Sequence, residues 1–438
     1  MATAATAPRK LFGTDGVRGV AGEFLSAELA LALARAATSH VQTDEPARVL
    51  VIRDTRESGE MLEAAIAAGI AAAGGEALLG GILPTPGAPL LIDRYGFDLA
   101  AVLSASHNPY QDNGIKFFGG DGFKLSDATE AEIEARIAAP AVAPRIGRVR
   151  RFHGALEDYL RALHERFQGL DLSGRSVVLD CANGATYEAG PEIFRRLGAH
   201  VDVIGAAPDG RNINAGCGST HLDALREAMA GGDHHVGFAF DGDGDRVLAV
   251  DRTGAVVDGD ELIALAAKHL EVGGVAVTVM TNYGFHAAMR DAGIEVATTG
   301  VGDRYVLEVL RERGWALGGE QSGHIIDMGF VPSGDGIAAA LLTMEALAGG
   351  DLHDRHAMDK LPQTLVNVRV RDRGALEGAA TVHAAVERES AALEGRGRVL
   401  LRPSGTEPLV RVMVEAPTAE EAESVCSRLV ALVEEELT

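Results

Sequence analysis

Short β-branched runs alternate with helix-length segments along this chain, and that alternation restricts its fold more than any other feature. Ala47–Asp54 reads as a buried strand that ends in polar residues, and Glu76–Ile82 and Leu99–Ser104 read as further strands. Between the first two, Ser58 is placed to cap a helix that runs to a stop at Gly74-Gly75. The rhythm returns with a strand at Ser176–Asp180, a loop at Cys181–Thr186, a helix near Pro191–Leu197, and strands at His200–Ile204 and Val236–Phe240. A third round has Val275–Met280 as strand, Phe285–Ala292 as helix and Glu295–Thr299 as strand. Repeated strand, helix, strand units require sheets with parallel pairs covered by helices. The last part differs: Leu365–Val370, Val399–Leu401 and Val410–Glu415 alternate as strands, and Ala419–Glu436 closes the chain as a helix. Ala138–Arg145 is Pro/Ala-rich, a turn falls at Arg252–Gly254, and Leu361–Gln363 precedes the final unit. The expectation is three similar α/β domains with mixed sheets at 1–150, 151–253 and 254–364, plus a smaller C-terminal α+β domain at 365–438.

Charge excludes several function classes. Lys+Arg total 40 against 63 Asp+Glu, a formal net charge of −23, which is the wrong sign for a nucleic-acid footprint. Lysines are scarce (Lys10, Lys116, Lys124, Lys268, Lys360), and none follows a glycine, so a Walker-type phosphate loop is absent. Phosphate recognition would fall to Arg, hydroxyls, backbone N–H groups or a metal. Three scattered cysteines (Cys181, Cys217, Cys426) suit neither a disulfide framework nor a thiolate zinc site. Met1–Lys10 lacks the apolar core of a signal peptide, and no apolar run approaches the ~18 residues of a membrane span. A cytoplasmic protein without a membrane partner is expected.

Five loops carry chemistry. In Ser104–Phe118 (SASHNPYQDNGIKFF), serines at a strand end stand beside His107, and Lys116 returns toward the same place. A hydroxyl nucleophile needs a partner to manage its proton, and His107 or Lys116 can serve. In Phe240–Arg246 (FDGDGDR), three carboxylates alternate with glycine behind an apolar strand. Such like charges converge around a cation. The twelve-residue calcium-loop pattern fails, because Arg246 and Arg252 stand where it needs Gly and Glu. An oxygen-ligand Mg²⁺ site is left, with its remaining positions open to water or phosphate. Arg402–Pro408 (RPSGTEP), with Arg411 beyond it, reads as an anion cradle. Gly318–His324 (GGEQSGH) gathers a carboxylate, an amide, a hydroxyl and an imidazole suited to polyol recognition. Phe12–Gly19 (FGTDGVRG) is a Gly-flanked loop that exposes Arg18. Gly334–Ala339 matches a relaxed dinucleotide-binding pattern, but no acidic residue ends a following strand, so nicotinamide or flavin binding is not expected.

Taken together, and in their order along the chain, the loops resemble the α-D-phosphohexomutase superfamily along nearly the whole chain, and Asn212–His221 (NINAGCGSTH) is similar to its amino-sugar branch. The resemblance implies four domains around a central cleft. It implies that Ser106, and not Ser104, is the phosphorylated residue, and that Asp241, Asp243 and Asp245 hold one Mg²⁺ together with a phosphoserine oxygen. Lys116, reinforced by Arg18 and His107, is the implied proton carrier, or else a fixed charge. Glu320, Ser322, His324 and Arg246 would face the sugar, and Arg402, Ser404, Gly405, Thr406 and Arg411 would hold the non-reacting phosphate. The implied reaction interconverts glucosamine 6-phosphate and glucosamine 1-phosphate, with glucosamine 1,6-bisphosphate as intermediate and primer, and feeds amino-sugar nucleotide and cell-wall precursor synthesis. A sister hexose mutase, a metal-dependent phosphosugar phosphatase and a non-catalytic phosphosugar sensor are the alternatives. The implied partner is a phosphosugar, and a homodimer is compatible with the pattern.

Overall fold

The computed structural model describes residues 11–13, 15–138, 143, 145–403 and 408–438. Its described residues form two compact units, one running to Val279 and taking in Ala297–Arg355, the other made of Met280–Val296 and His356–Thr438.

The larger unit holds three mixed sheets flanked by helices. The first has six strands. Arg48–Arg53 lies between Glu76–Ile82 and Leu99–Leu103, both parallel to it, and Asp112–Gly119 and Val17–Val20 extend the sheet antiparallel. Arg48–Arg53 and Leu99–Leu103 are buried on both faces, as their unbroken apolar runs require. The second sheet has five strands, with Ser176–Asp180 parallel to both His200–Ile204 and Val236–Phe240. Val236–Phe240 then turns back antiparallel into Val247–Asp251. In the third, Gly274–Thr278 runs parallel to Leu317–Gly319, which pairs antiparallel with Ile325–Asp327. The cores are aliphatic, with Val49, Val51, Ile66, Leu99, Leu103 and Ile115 wholly or almost wholly buried in the first.

In the smaller unit, Leu409–Glu415 is the central strand between Gln363–Arg369 and Arg398–Pro403, both antiparallel to it. The long helix Ala419–Leu437 buries Val425, Leu429 and Val433 in the core beside this sheet. The helix Tyr283–Asp291 belongs to this unit: Asn282 caps it and also donates to the carbonyl of Leu361 at 3.0 Å.

Two local expectations differ. Ser58 does not cap its helix: it is the first helical residue, and its hydroxyl accepts from Asn113 Nδ2 at 2.9 Å. The helix expected to begin near Pro191 begins at Thr186 and contains the proline. The chain has already turned at Ala182 and Asn183, both with positive φ, so the proline is not needed as a start signal. Among the described residues, no helix is long and apolar enough to cross a membrane.

Candidate active site

The larger unit brings its strand ends together. The loop after Leu99–Leu103 carries Ser106 and His107, and its return strand carries Lys116. Register places Arg18 opposite Gly114, two residues from Lys116, on adjacent antiparallel strands. Gly114 has to lack a side chain, because a Cβ there would lie 2.4 Å from the Ser104 carbonyl and 3.0 Å from the Arg18 side chain. The three aspartates sit in the hairpin loop between Val236–Phe240 and Val247–Asp251, and Glu320–His324 links Leu317–Gly319 to Ile325–Asp327.

Ser106 is buried, and its hydroxyl donates to Asp241 Oδ2 at 2.5 Å. Asp241, Asp243 and Asp245 are all buried, and each offers a carboxylate oxygen within 4.8 Å of the others. Burial and the charges of Asp245 and Asp243 push Asp241 well above the usual carboxylate range. Burial also opposes the charge on Asp245, but His324 and Lys116 outweigh it and hold that carboxyl well below the usual range. Lys116 Nζ lies 2.9 Å from Asp243, 3.1 Å from Asp15 and 3.7 Å from Asp245. Burial lowers its affinity for a proton, yet Asp15 and Asp243 outweigh burial, so Lys116 is a firmly held cation.

The donor set fits a hard divalent cation. It is all carboxylate oxygen, and Asp243 Oδ1 and Asp245 Oδ1 are buried with no hydrogen-bond donor among the described residues. Thr85 orients Asp243 from behind, donating its hydroxyl to Oδ2 at 2.7 Å and its N–H to the Asp243 carbonyl at 2.9 Å.

His107 Nδ1 lies 3.1 Å from Arg246 Nη1 and 3.4 Å from Ser106 Oγ. An arginine can only donate, so Nδ1 is the acceptor and neutral His107 carries its proton on Nε2. Burial, then the charges of Arg246 and Arg18, lower its pKa and favour this neutral form. His324 Nε2 accepts from the Gly334 N–H at 3.1 Å, which leaves Nδ1 facing Asp245 at 3.6 Å. Gly334 is a glycine for packing reasons, because a Cβ would lie 2.5 Å from the His324 ring.

A cavity of about 270 Å³ is lined by Asp15, Arg18, Asp245, Arg246, Glu320 and His324 among others. Glu320 Oε1 accepts from the Gly302 N–H at 3.0 Å, and Ser322 is exposed. Of the sequence-derived site residues, the larger unit therefore gathers Ser106, His107, Lys116, Arg18, the three aspartates, Arg246, Glu320 and His324. Arg402 and Arg411 lie in the smaller unit as cross-strand partners. Burial and the neighbouring Arg411 lower the pKa of Arg402, and Arg411 Nε is buried with no partner among the described residues, which suits an anion there. Ser404, Gly405 and Thr406 fall outside the described residues.

Sequence reasoning missed several groups. Asp15 pairs with Arg18, Lys116 and Lys124, and Lys124 also reaches Asp303 at 2.5 Å. Asp15 lies in the Gly-flanked loop Phe12–Gly19, where a single aspartate in a turn carries no local signal. Asp303 follows Gly300-Val-Gly302, a glycine-aspartate pattern like that of the metal loop, and that was the available signal.

Comparison with known proteins gives a uniform result. Models of phosphoglucomutase/phosphomannomutase alpha/beta/alpha domains I, II and III match residues 9–142, 157–254 and 258–365, and the C-terminal domain of that family matches 365–432. The phosphoglucosamine mutase of Deinococcus deserti is 49% identical over 439 residues, covering 97% of this chain and 98% of its own. A phosphoglucomutase/phosphomannomutase family protein of Burkholderia thailandensis superposes with a TM-score of 0.83 at 23% identity, covering 97% of each chain. The N-acetylphosphoglucosamine mutase of Aspergillus fumigatus, solved with GlcNAc-6P and magnesium, superposes with a TM-score of 0.70 at 17% identity, covering 98% of this chain and 96% of its own.

Proposed function

The chain belongs to the phosphoglucomutase/phosphomannomutase family, and from that premise we propose that it interconverts glucosamine 6-phosphate and glucosamine 1-phosphate through a phosphoserine at Ser106 and glucosamine 1,6-bisphosphate. The observation that carries the proposal is a buried serine hydroxyl 2.5 Å from a triad of buried aspartates and beside a firmly held lysine cation. The amino sugar is supported by the identity to relatives of that activity over nearly the full chain.

Asp241, Asp243 and Asp245 would hold one Mg²⁺, which when bound supplies positive charge against the phosphoryl group in flight. The other roles belong to the chain itself. Lys116 and Arg18 present fixed positive charge to the same group. His107, whose Nδ1 lone pair accepts from Arg246 Nη1, would hold that arginine beside Ser106. Glu320, held by the Gly302 N–H, is placed to accept from sugar hydroxyls, with Ser322 and His324 beside it. Arg402 and Arg411, with Ser404, Gly405 and Thr406, serve the phosphate that is not reacting. Domains at 1–150, 151–253, 254–364 and 365–438 are consistent with the four family matches.

Phosphorus NMR tests the reading. The protein is incubated with Mg²⁺, a trace of sugar bisphosphate and glucosamine, glucose or mannose 6-phosphate. The fastest growth of a 1-phosphate signal is expected from glucosamine, and none from Ser106→Ala. Faster growth from mannose or glucose would move the substrate to a sister hexose, and release of inorganic phosphate would replace the mutase with a phosphatase.

A further inference from the structure

Ser106 sits in the left-handed region with φ 53°, a conformation for which serine has no intrinsic preference. Such a residue persists only when its surroundings over-determine it. Here the surroundings converge on its carbonyl oxygen, which accepts from Arg56 Nη2 at 2.9 Å and from Asn214 Nδ2 at 2.9 Å. The same two side chains share the carbonyl of Asn108, at 2.8 Å and 3.1 Å. Arg56 Nη1 continues along the loop to the carbonyls of Asp112, at 2.9 Å, and Pro109. Arg56 Nε donates to Asp54 Oδ2 at 2.8 Å. All five N–H donors of a wholly buried guanidinium are thereby used, four of them on one loop. Asp54 adds a second line, accepting the Ser104 hydroxyl at 2.6 Å, while that hydroxyl oxygen accepts the Ser106 N–H at 2.9 Å.

The other side of the hub comes from loops that leave the strands of the second sheet. Asn214, itself at φ 58°, donates its backbone N–H to the Ala182 carbonyl at 2.9 Å. Among the described residues, six non-glycine positions have positive φ, and Ser106, Asn214, Ala182 and its neighbour Asn183 are four of them. Gly242 of the metal loop closes on the same point, since a Cβ there would lie 2.6 Å from the Ser106 carbonyl and 2.8 Å from Asn214 Nδ2. The backbone of Ser106 is thus gripped from behind while its hydroxyl faces Asp241.

Resting on the reading of Ser106 as phosphoryl carrier, we propose that Arg56 and Asn214 are positioning residues that fix the serine loop against the metal loop, keeping the Ser106 oxygen in line for transfer. Arginine is required because its rigid fork reaches four carbonyls at once, where lysine offers three donors from a single point. A displacement of about 1 Å at a reacting atom costs about 100-fold in rate.

The test uses the full chain with Arg56→Lys and Asn214→Asp, an isosteric change that puts a carboxylate oxygen where the amide donated. The readouts are kcat, KM, melting temperature, the phosphate content of Ser106 by mass spectrometry, and inorganic phosphate released per turnover. Arg56→Lys is expected to lower kcat about 100-fold and Asn214→Asp about tenfold, with KM within about threefold and more phosphate lost to water per turnover. A merely structural role would lower the yield or melting temperature and leave kcat per folded molecule and phosphate loss at wild-type values, which overturns the proposal. If Arg56→Lys does not fold, Asn214→Asp decides on the same criteria. Wild-type protein run in parallel separates the two ideas. If it turns over without phosphate on Ser106, the parent reading falls and this one with it; normal wild-type transfer with unaffected variants overturns the clamp alone.

Discussion

Asp335 offers a stability test that does not depend on any assignment of substrate. It is 2% exposed, caps the helix Gly336–Leu347 by accepting from the Ala338 N–H at 2.9 Å, and accepts the wholly buried Tyr159 hydroxyl at 3.0 Å on both carboxylate oxygens. Burial outweighs those donors and pushes its pKa from 3.8 up to about 7. The folded state therefore holds the proton more tightly than the unfolded state, so Asp335 opposes folding increasingly as pH rises from 3.8 to about 7. The full gap corresponds to about 4 kcal/mol, of which about 2–3 kcal/mol develops between pH 5 and pH 8. Asp335→Asn keeps an acceptor for Ala338 and Tyr159 but cannot ionise. For a unit of roughly 340 residues, 1 kcal/mol is worth about 1.4 °C. Relative to wild type, the variant should therefore gain about 4 °C in the melting temperature of the larger unit between pH 5 and pH 8. Scanning calorimetry at fixed Mg²⁺ measures this, and other titrating groups cancel in the difference. Tyr159→Phe should show the opposite trend, costing about 1–3 kcal/mol at pH 8, where a buried charge loses its donor, and less at pH 5. A difference between Asp335→Asn and wild type that stays flat across this range would refute the reasoning.

Three further changes probe the rest of the molecule. Thr85→Val removes the hydroxyl that orients Asp243 and should raise the Mg²⁺ concentration for half-maximal turnover about tenfold or more, read by Mg²⁺ titration after chelation of the protein. Gly242→Ala drives a Cβ against the fixed Ser106 carbonyl, so turnover should fall at least about tenfold in a folded protein, checked by kinetics beside circular dichroism. In the smaller unit, burial and then Arg398 lower His286 to about 4, so its neutral form favours folding. That contribution is complete above pH 6.5 and is lost as pH falls toward 4. His286→Gln should blunt the acid sensitivity of this unit by about 1–2 kcal/mol, a value reduced for partial exposure and read from melting temperatures at pH 4.5 and 7.

What the sequence made legible is what lies close together along the chain. The strands Arg48–Arg53, Ser176–Asp180 and Leu409–Glu415 declare themselves by short apolar runs, and the aspartates of the metal loop by strict alternation with glycine. Ser106, His107 and Lys116 fall within eleven residues of one another, and the structure keeps them in one site. Local punctuation was less dependable, because a tertiary partner can take over a residue suited to a cap or a break. Ser58 is claimed by Asn113, and Pro191 sits inside a helix whose start was fixed upstream.

The supports of the site were illegible for a different reason. Arg56 reaches Ser106 across 50 positions, Asn214 reaches it across 108, and Thr85 reaches Asp243 across 158. None of these side chains carries chemistry that a local pattern would flag: an arginine after a strand, an asparagine in a glycine-rich loop and a threonine before a proline are ordinary turn residues. The glycines at 334 and 336 mislead in the same way, suggesting a dinucleotide loop when they make room for the His324 ring and the Arg246 carbonyl. The loops that meet the substrate are compact in sequence because a few adjacent atoms must move as one. The groups that hold those loops still have to come from other elements, because a loop cannot brace itself against its own backbone.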